Sequence, residues 1–156
     1  MAVNIKIEKP SSHNDVITSL ETLLADNFML AVQTQAFHWN VEGPNFSSYH
    51  KLFEEQYTAL FNANDEIAER IRALGAKAPG SLKIFLASAT LKEAPDNISA
   101  TEMIQMLLSN YQVIINHARS LILLAASNHD IVTEDLVVTM LGYYEKTVWM
   151  LKSLLK

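Results

Sequence analysis

The chain has 156 residues, 49% of them hydrophobic, which suits a single compact domain with an apolar core of its own. The absence of cysteine excludes disulfides, zinc–thiolate sites and cysteine nucleophiles, and the low glycine and proline content argues against an all-β or loop-rich design. The net charge is −5, so the body of the protein has few cations with which to replace the counterions of nucleic-acid phosphates. Before Pro10 the chain adds only Lys6 and Lys9, and we therefore expect DNA binding to be weak or absent.

The sequence shows no targeting or membrane segment. Its first residues contain no basic stretch followed by an apolar run, the pattern that a secretory signal peptide requires. No segment approaches the ~18 consecutive apolar residues of a membrane-spanning helix. These features predict a soluble, cytoplasmic protein that does not enter the membrane.

Helix signals begin after the first proline. Ser12 and Asp15 have the three-residue spacing of a capping box, and apolar residues at intervals of three and four then predict a helix of roughly 27 residues that ends near Phe37. A Gly-Pro segment follows, and the same apolar spacing predicts a second helix from about Phe46 to Leu74. Gly75 is the residue type that most often follows a helix end, so the second helix is expected to stop there.

The same signals continue in the second half of the chain. A short helical segment is predicted between Leu82 and Thr90, inside a connection of about 25 residues. Ser99 opens another capping box, which predicts a third long helix from about Ala100 to Ser127. After a polar loop, Thr133 is predicted to cap a final helix that runs to about Leu155.

The order of the predicted helices indicates a fold. A connection of this length can cross the length of a helix bundle, and one long crossover is the connectivity of ferritin-like bundles. We therefore predict an all-α, ferritin-like four-helix bundle with a short extra helix in the long crossover between the second and third long helices. We expect it to form one domain, residues 1–156, with a short N-terminal extension at 1–11.

Four polar residues of the second helix lie on one arc of the helical wheel, beside the apolar stripe that faces the bundle: His50, Glu54, Asp65 and Glu69. The first two are four residues apart, as are the last two, so each pair can reach one ion. The two pairs lie roughly 22 Å apart along the helix axis, so no single ion can contact both.

A two-fold axis would bring the two pairs together. An antiparallel copy of the helix, crossing near Leu60, places the His50 end of one chain beside the Asp65 end of the other and creates two identical sites. His38, near the end of the first helix, continues that helix's own stripe and can join His50 in the same subunit. Two imidazoles and three carboxylates without sulfur suit iron or manganese, and a mixed set with open positions is typical of iron that meets an oxidant. The chain has no Glu-x-x-His sequence, so the site of an intra-bundle di-iron protein cannot form, and a metal site is expected between subunits.

Two readings without iron chemistry remain open at this point. Asp65 and Glu69 could pair with Arg70 or Arg72 and form an ordinary ionic face. The chain could also be a structural bundle, which requires five ligand-type residues to have these spacings by chance. Three further histidines have no partner at ligand spacing and receive no role: His13, His117 and His129.

The stretch FHWNVEGPNFSSYHKLFEEQ, with NDEIAER shortly after it, closely resembles the Dps family, the small ferritin-like proteins named for DNA protection in starved cells. The resemblance extends over nearly the whole chain, from the first helix to VWMLKSLL at the end, and includes the short middle helix. Its motif is specific, because His38 is followed by a histidine 12 positions on, an acid 16 on, an aspartate 27 on and a glutamate 31 on.

The resemblance implies a ferroxidase that assembles as a hollow homododecamer. In that function the substrates are Fe²⁺ and, preferably, hydrogen peroxide, and the ferric mineral is stored inside the shell, which protects the cell and its DNA from oxidative damage. The alternative is a nucleoid-binding stress protein in which DNA condensation is the main activity. That activity requires a flexible basic tail, and the two ends of the chain supply only Lys6 and Lys9, then Lys152 and Lys156.

By position, the resemblance assigns iron ligands to both subunits of a dimer: His38, His50 and Glu54 from one subunit, and Asp65 and Glu69 from its two-fold mate. The family more usually has aspartate where this chain has Glu54. The carboxylate of glutamate reaches about one bond further, which affects the ligand distance and the affinity of the site.

The resemblance also assigns residues outside the ligand set. Trp39 matches a tryptophan that in the family lies beside the site and can supply an electron; a packed interface aromatic is the alternative role. The segment HDIVTEDLV resembles the acidic lining of the family's three-fold entry pores, which suggests Asp130, Glu134 and Asp135 as pore residues. Glu134 and Asp135 also fall in the first turn of a predicted helix, where acids suit the helix dipole without any iron.

Overall fold

Five α-helices, and no strand, make up residues 12–156, the part of the chain that the computed structural model describes. The four long helices are α1 (His13–Asn40), α2 (Phe46–Ala73), α4 (Ala100–Ser127) and α5 (Ile131–Ser153), and the short helix α3 (Leu82–Ser88) lies in the connection between α2 and α4. Helix α1 packs mainly on α2, and α4 on α5, while α1 also contacts α3 and α4. The predicted ferritin-like bundle and its extra helix are confirmed. The expected N-terminal extension, residues 1–11 with Lys6 and Lys9, lies outside the described residues.

Local hydrogen bonds explain where the first and third long helices begin. The backbone N–H of Ser12 donates to the Asp15 carboxylate at 2.7 Å, which satisfies a group that the helix itself leaves without a partner. At the start of α4, the N–H of Ser99 donates to the Glu102 carboxylate at 2.7 Å and the N–H of Glu102 donates to the Ser99 hydroxyl at 3.3 Å. Both predicted capping boxes are confirmed.

The predicted cap of the last helix is wrong. Helix α5 begins at Ile131, and its N-cap is Asp130, whose carboxylate accepts a hydrogen bond from the N–H of Thr133 at 3.1 Å. Both aspartate and threonine are good N-cap residues, so composition alone does not choose between them. Thr133 is instead a buried residue of the first turn, and its hydroxyl donates to the other oxygen of Asp130 at 2.5 Å.

The end of α2 follows the prediction. Gly75 has φ = +92°, a left-handed conformation that favours glycine. The N–H of Gly75 donates to the carbonyl of Arg72 at 3.0 Å, and the N–H of Ala76 donates to the carbonyl of Ile71 at 3.3 Å, which is the Schellman pattern of helix termination.

The centre of the bundle is apolar with a small, neutral polar network. Tyr144 donates its hydroxyl to the side-chain oxygen of Asn27 at 2.9 Å, and the Asn27 amide donates to the Leu60 carbonyl and to the Asn64 side chain, each at 2.8 Å. Each of these groups is uncharged. A di-iron bundle of the Glu-x-x-His type needs inward carboxylates at such positions, so this interior does not provide a metal site.

Asp26 is the one acidic side chain among the buried residues of the described chain. Its carboxylate accepts hydrogen bonds from the N–H of Thr90 at 2.5 Å, the hydroxyl of Thr90 at 2.7 Å and the N–H of Leu91 at 3.2 Å. These bonds compensate for the loss of water around a buried charge and attach the segment that directly follows α3 to α1.

None of the helices within residues 12–156 combines the length and the apolar composition needed to cross a lipid bilayer.

Candidate metal centre

The turn between α1 and α2 brings two histidines together. Gly43, with φ = +114°, allows the chain to reverse within a few residues, so the end of α1 lies against the start of α2. His38 is in the last turn of α1 and His50 is in the second turn of α2. Their imidazole rings stack with centroids 3.7 Å apart and planes inclined by 22°.

Each of these histidines is bound by the backbone of the other. Nδ1 of His38 lies 2.7 Å from the carbonyl oxygen of His50, and Nδ1 of His50 lies 2.8 Å from the carbonyl oxygen of His38. Because a carbonyl oxygen only accepts, each Nδ1 must carry the proton and donate. The neutral imidazole then has its lone pair on Nε2, the form in which histidine binds a metal ion.

One further aromatic ring contacts each histidine of the pair. The Tyr57 ring meets the ring of His38 edge-on, with centroids 5.3 Å apart, and Phe46 lies 5.0 Å from the ring of His50. His38 is only 8% exposed, although it stands near the end of a helix. Stacking, edge contacts and the two hydrogen bonds therefore fix the orientation of both rings before any metal binds. The contact of Tyr57 with His38 could not be predicted from the sequence, since it depends on how α1 packs on α2.

The carboxylates of the predicted ligand set are not gathered by one chain. Glu54, Asp65 and Glu69 are all exposed on α2. Within residues 12–156, no three side chains of His, Asp or Glu approach one another closely enough to hold a metal ion. A single subunit thus brings His38 and His50 together without a third ligand-type side chain gathered around both, and Asp65 and Glu69 lie toward the other end of α2.

Asp65 and Glu69 do not form the ionic face that the sequence left open. In the part of the chain that is described, neither acid makes an ion pair. Arg70 instead pairs with Asp130, its Nη2 lying 2.6 Å from a carboxylate oxygen, and Arg72 donates to the carbonyl of Ala76 at 2.8 Å. The two neighbouring cations are therefore engaged elsewhere.

The residues assigned to a pore differ in their surroundings. Burial disfavours the charged form of Asp130, but hydrogen bonds from Thr133 and the Arg70 guanidinium outweigh that effect and lower the pKa of the Asp130 carboxyl. Glu134 is half-buried in the first turn of α5 and Asp135 is exposed. Arg70 and Asp130 are 60 positions apart, and no spacing in the sequence predicts that contact.

The remaining residues singled out from the sequence have structural surroundings of their own. Trp39 is 65% exposed in the single subunit, so its ring is not packed within the chain. Nε2 of His117 lies 2.9 Å from the Ser19 hydroxyl, and burial lowers the pKa of His117. A ring nitrogen of His13 lies 3.3 Å from the carbonyl of Leu74.

Comparison with known proteins gives a consistent family. The ferritin-like domain family matches residues 17–156. DNA protection during starvation protein 2 of Bacillus anthracis is 33% identical over 143 residues, covering 92% of this chain and 98% of that protein. The crystal structure of Dps from Staphylococcus aureus has a TM-score of 0.91 and 35% identity, covering 94% of this chain and 98% of that one.

A third similar protein is described as belonging to a superfamily with a known type of metal site. Dps from Vibrio cholerae O1, described as a member of a broad superfamily of ferritin-like diiron-carboxylate proteins, has a TM-score of 0.90 at 33% identity. The match covers 100% of this chain and 98% of that one. The helix order, the extra helix in the crossover and these matches together show that the chain belongs to the Dps family of ferritin-like proteins.

Proposed function

We propose that this protein is a ferroxidase that stores iron. It binds Fe²⁺ at sites shared by two subunits, oxidises it, preferably with hydrogen peroxide, and holds the ferric mineral in a hollow homododecamer, which limits oxidative damage to the cell and its DNA. The observation that carries the proposal is the pair of His38 on α1 and His50 on α2, held by reciprocal backbone hydrogen bonds. Helix α2 also bears the exposed acids Glu54, Asp65 and Glu69, which make no ion pair within residues 12–156.

The site is completed by a second copy of α2. In an antiparallel dimer, the histidines and Glu54 of one chain lie beside Asp65 and Glu69 of the partner subunit. Neutral imidazoles coordinate through Nε2 without first losing a proton, and the carboxylates offset the charge of the cation and favour Fe³⁺ over Fe²⁺. Reduction of one hydrogen peroxide to two waters takes two electrons and two protons, and two Fe²⁺ supply the electrons. Held as a pair, the two irons avoid the one-electron step that releases hydroxyl radical.

Exposed apolar side chains lie near the side of α2 that bears these acids, and they support a subunit interface there. Leu82 and Leu86 of α3 are 68% and 61% exposed, and Val32 of α1 is 45% exposed. They line an open groove of about 1170 Å³ between α1, α3 and the loop that follows. Phe28, which also lines the groove, contacts Phe61 of α2, one helical turn before Asp65, with ring centroids 6.1 Å apart. The groove and the acids therefore form one continuous side of the subunit, which a second protein surface would protect from water.

Subunit complementation tests the shared site. One variant carries His38→Ala and His50→Ala, the other carries Asp65→Asn and Glu69→Gln, and each alone should lose peroxide-dependent oxidation of Fe²⁺. Shells assembled from an equal mixture should regain about a quarter of the wild-type sites, because in a mixed dimer one of the two sites receives all of its ligands from unchanged residues. A mixture that stays as inactive as its parents would refute the shared site.

DNA binding is the second activity to examine, because the similar protein of Bacillus anthracis is named for DNA protection. With 17 acids against 12 bases, we expect no mobility shift of DNA by the assembled shell, even at low salt. A tight complex that weakens steeply as salt is added would assign the protein a nucleoid role.

A further inference from the structure

Arg70 follows Glu69 directly in α2, but its side chain is bound at the start of α5. Nη2 of Arg70 lies 2.6 Å from a carboxylate oxygen of Asp130, and Nε donates to the Thr133 hydroxyl at 2.8 Å. The side chains of Arg70 and Asp130 are only 17% and 9% exposed. A charged pair with this little contact with water, and with several hydrogen bonds, holds its geometry much better than a surface pair.

Asp130 is fully engaged in this contact. One carboxylate oxygen receives Arg70 and the N–H of Thr133, and the other receives the Thr133 hydroxyl at 2.5 Å. Threonine also accepts from the guanidinium, so the three side chains form a closed triangle. A carboxylate with both oxygens bound within its own subunit is poorly placed to line a pore and attract cations.

Without this triangle, Arg70 would carry a permanent positive charge beside the acidic half of the iron site. Glu69 is its neighbour in sequence, and Asp65 is little more than one helical turn away. A free guanidinium forms bidentate pairs with carboxylates, and any such pair would compete directly with a metal cation.

We infer that Asp130 and Thr133 are positioning residues of the iron site. By binding Arg70 they hold its guanidinium away from Asp65 and Glu69, so that these carboxylates stay free for Fe²⁺. The inference rests on the proposed function. It gives Asp130 a role at the iron site and removes it from the pore.

The test is the equilibrium affinity of metal-free shells for Zn²⁺, a cation that accepts nitrogen and oxygen ligands and does not change oxidation state. Asp130→Ser keeps a side-chain cap for α5 but cannot reach Arg70. We expect its Zn²⁺ affinity to fall on the order of 3–10-fold, the range of one unfavourable charge near a partly exposed site. The double variant Asp130→Ser/Arg70→Gln should return to the wild-type affinity, since the released charge is gone. Zn²⁺ bound at the iron site is recognised as the part of the total Zn²⁺ binding that is lost in His50→Ala.

A matched control breaks another ion pair of α5. Arg119 lies 2.7 Å from Glu145, both side chains being about half exposed in the subunit, and Glu145→Gln should leave the Zn²⁺ affinity unchanged. If Asp130→Ser does not assemble, Thr133→Val removes the hydroxyl from the triangle and should lower the affinity in the same direction, by a smaller factor, with rescue by Arg70→Gln.

Three results would overturn the inference. An unchanged Zn²⁺ affinity in Asp130→Ser, with a lower thermal midpoint, would give the triangle a structural role alone. Slower uptake of Fe²⁺ with unchanged Zn²⁺ affinity would return Asp130 to the pore. A lower affinity that Arg70→Gln does not restore would mean that the released charge is not the cause. Wild-type shells without any His50-dependent binding would instead refute the proposed function itself, and the inference with it.

Discussion

The two halves of α2 differ in how much of their chemistry one chain completes. In the N-terminal half, the ring of His50 is stacked on His38 at 3.7 Å and hydrogen-bonded to the backbone of α1. In the C-terminal half, Asp65 and Glu69 are exposed and make no ion pair within residues 12–156. The nitrogen donors are therefore in place once the chain folds, whereas the oxygen donors are left available to a second chain.

The difference follows from how these residues are connected along the chain. His38 and His50 are joined by a short turn, so folding α1 against α2 brings them together at little cost in loop entropy. Asp65 and Glu69 lie on the same rigid helix as His50, and a helix cannot bend to bring its two ends together. Only another molecule can bring these two acids beside the histidines. The predictions that follow test each half in turn.

The largest effect is expected from His50→Ala. The substitution removes one of the proposed ligands and the ring that stacks on His38, but it keeps the backbone carbonyl to which His38 donates. Loss of a hydrogen-bond partner of a metal ligand costs about 10–100-fold in affinity or activity, so loss of the ligand itself should exceed that range. The measurement is the initial rate of Fe²⁺ oxidation by hydrogen peroxide.

The matched control is Tyr49→Phe, the neighbouring residue of α2. The Tyr49 ring packs on Phe53, with centroids 6.3 Å apart, and keeps that contact as phenylalanine. Its oxidation rate should equal that of the wild type. A rate in His50→Ala that matches the control would remove the histidines from the site.

In the C-terminal half of α2, Arg70 pairs with Asp130. We expect the stability that this pair contributes to depend on pH. The pKa of Asp130 in the folded protein lies below its ordinary value of 3.8, so its ion pair stabilises the fold at all pH values above that number. As pH falls below 3.8 and through the lower pKa of the folded state, the carboxyl gains a proton and this stabilisation is lost.

Comparison with Asp130→Ser isolates this contribution. Hydrogen bonds to charged groups contribute about 1.5–3 kcal/mol, so the variant should unfold at a clearly lower temperature near pH 7. The two thermal midpoints should converge as pH falls below 3.8. A gap that stays constant down to low pH would mean that the carboxylate charge does not contribute.

A smaller effect is expected from Glu54→Asp, in the N-terminal half of α2. The substitution restores the more usual family residue and shortens the side chain by one bond. If the site has adapted to glutamate, Fe²⁺ affinity should fall, within about tenfold because the ligand type is kept. A gain in affinity would instead show that the site has kept the dimensions that suit aspartate.

The fold and the site differ in how far the sequence predicts them. The ends of α2 could be predicted because their signals are local: a Gly-Pro turn before Phe46 and Gly75 after the helix. The histidine pair could be proposed from spacing on two adjacent helices. The reciprocal hydrogen bonds between the two histidines could not be predicted, because they depend on the exact position of α1 relative to α2 along the helix axes. The contact of Arg70 with Asp130 could not be predicted either, since it joins two side chains 60 positions apart, one near the end of α2 and the other at the N-cap of α5.

The N-cap of α5 was predicted wrongly because two residues near its start are both suitable caps. Thr133 was predicted as the cap of α5, but Asp130 takes that position because its carboxylate also binds Arg70. Tertiary contacts decided between two acceptable caps. His129 received no role, because a histidine carries no signal for a helix end, yet the backbone there repeats the pattern found at Gly75.

The smallest effect is expected at that helix end, outside both halves of α2. His129 has φ = +57°, its N–H donates to the carbonyl of Ala126 at 3.0 Å, and the N–H of Asp130 donates to the carbonyl of Ala125 at 3.0 Å. This is the Schellman pattern of Gly75, built on a residue with a Cβ. His129→Gly should therefore stabilise the protein by about 0.5–1 kcal/mol, and Gly75→Ala should destabilise it, because the left-handed conformation disfavours a side chain. Thermal midpoints measure both, and Fe²⁺ oxidation by His129→Gly should stay at the wild-type rate. A loss of stability in His129→Gly would show that the imidazole makes a contact of its own that outweighs the backbone strain.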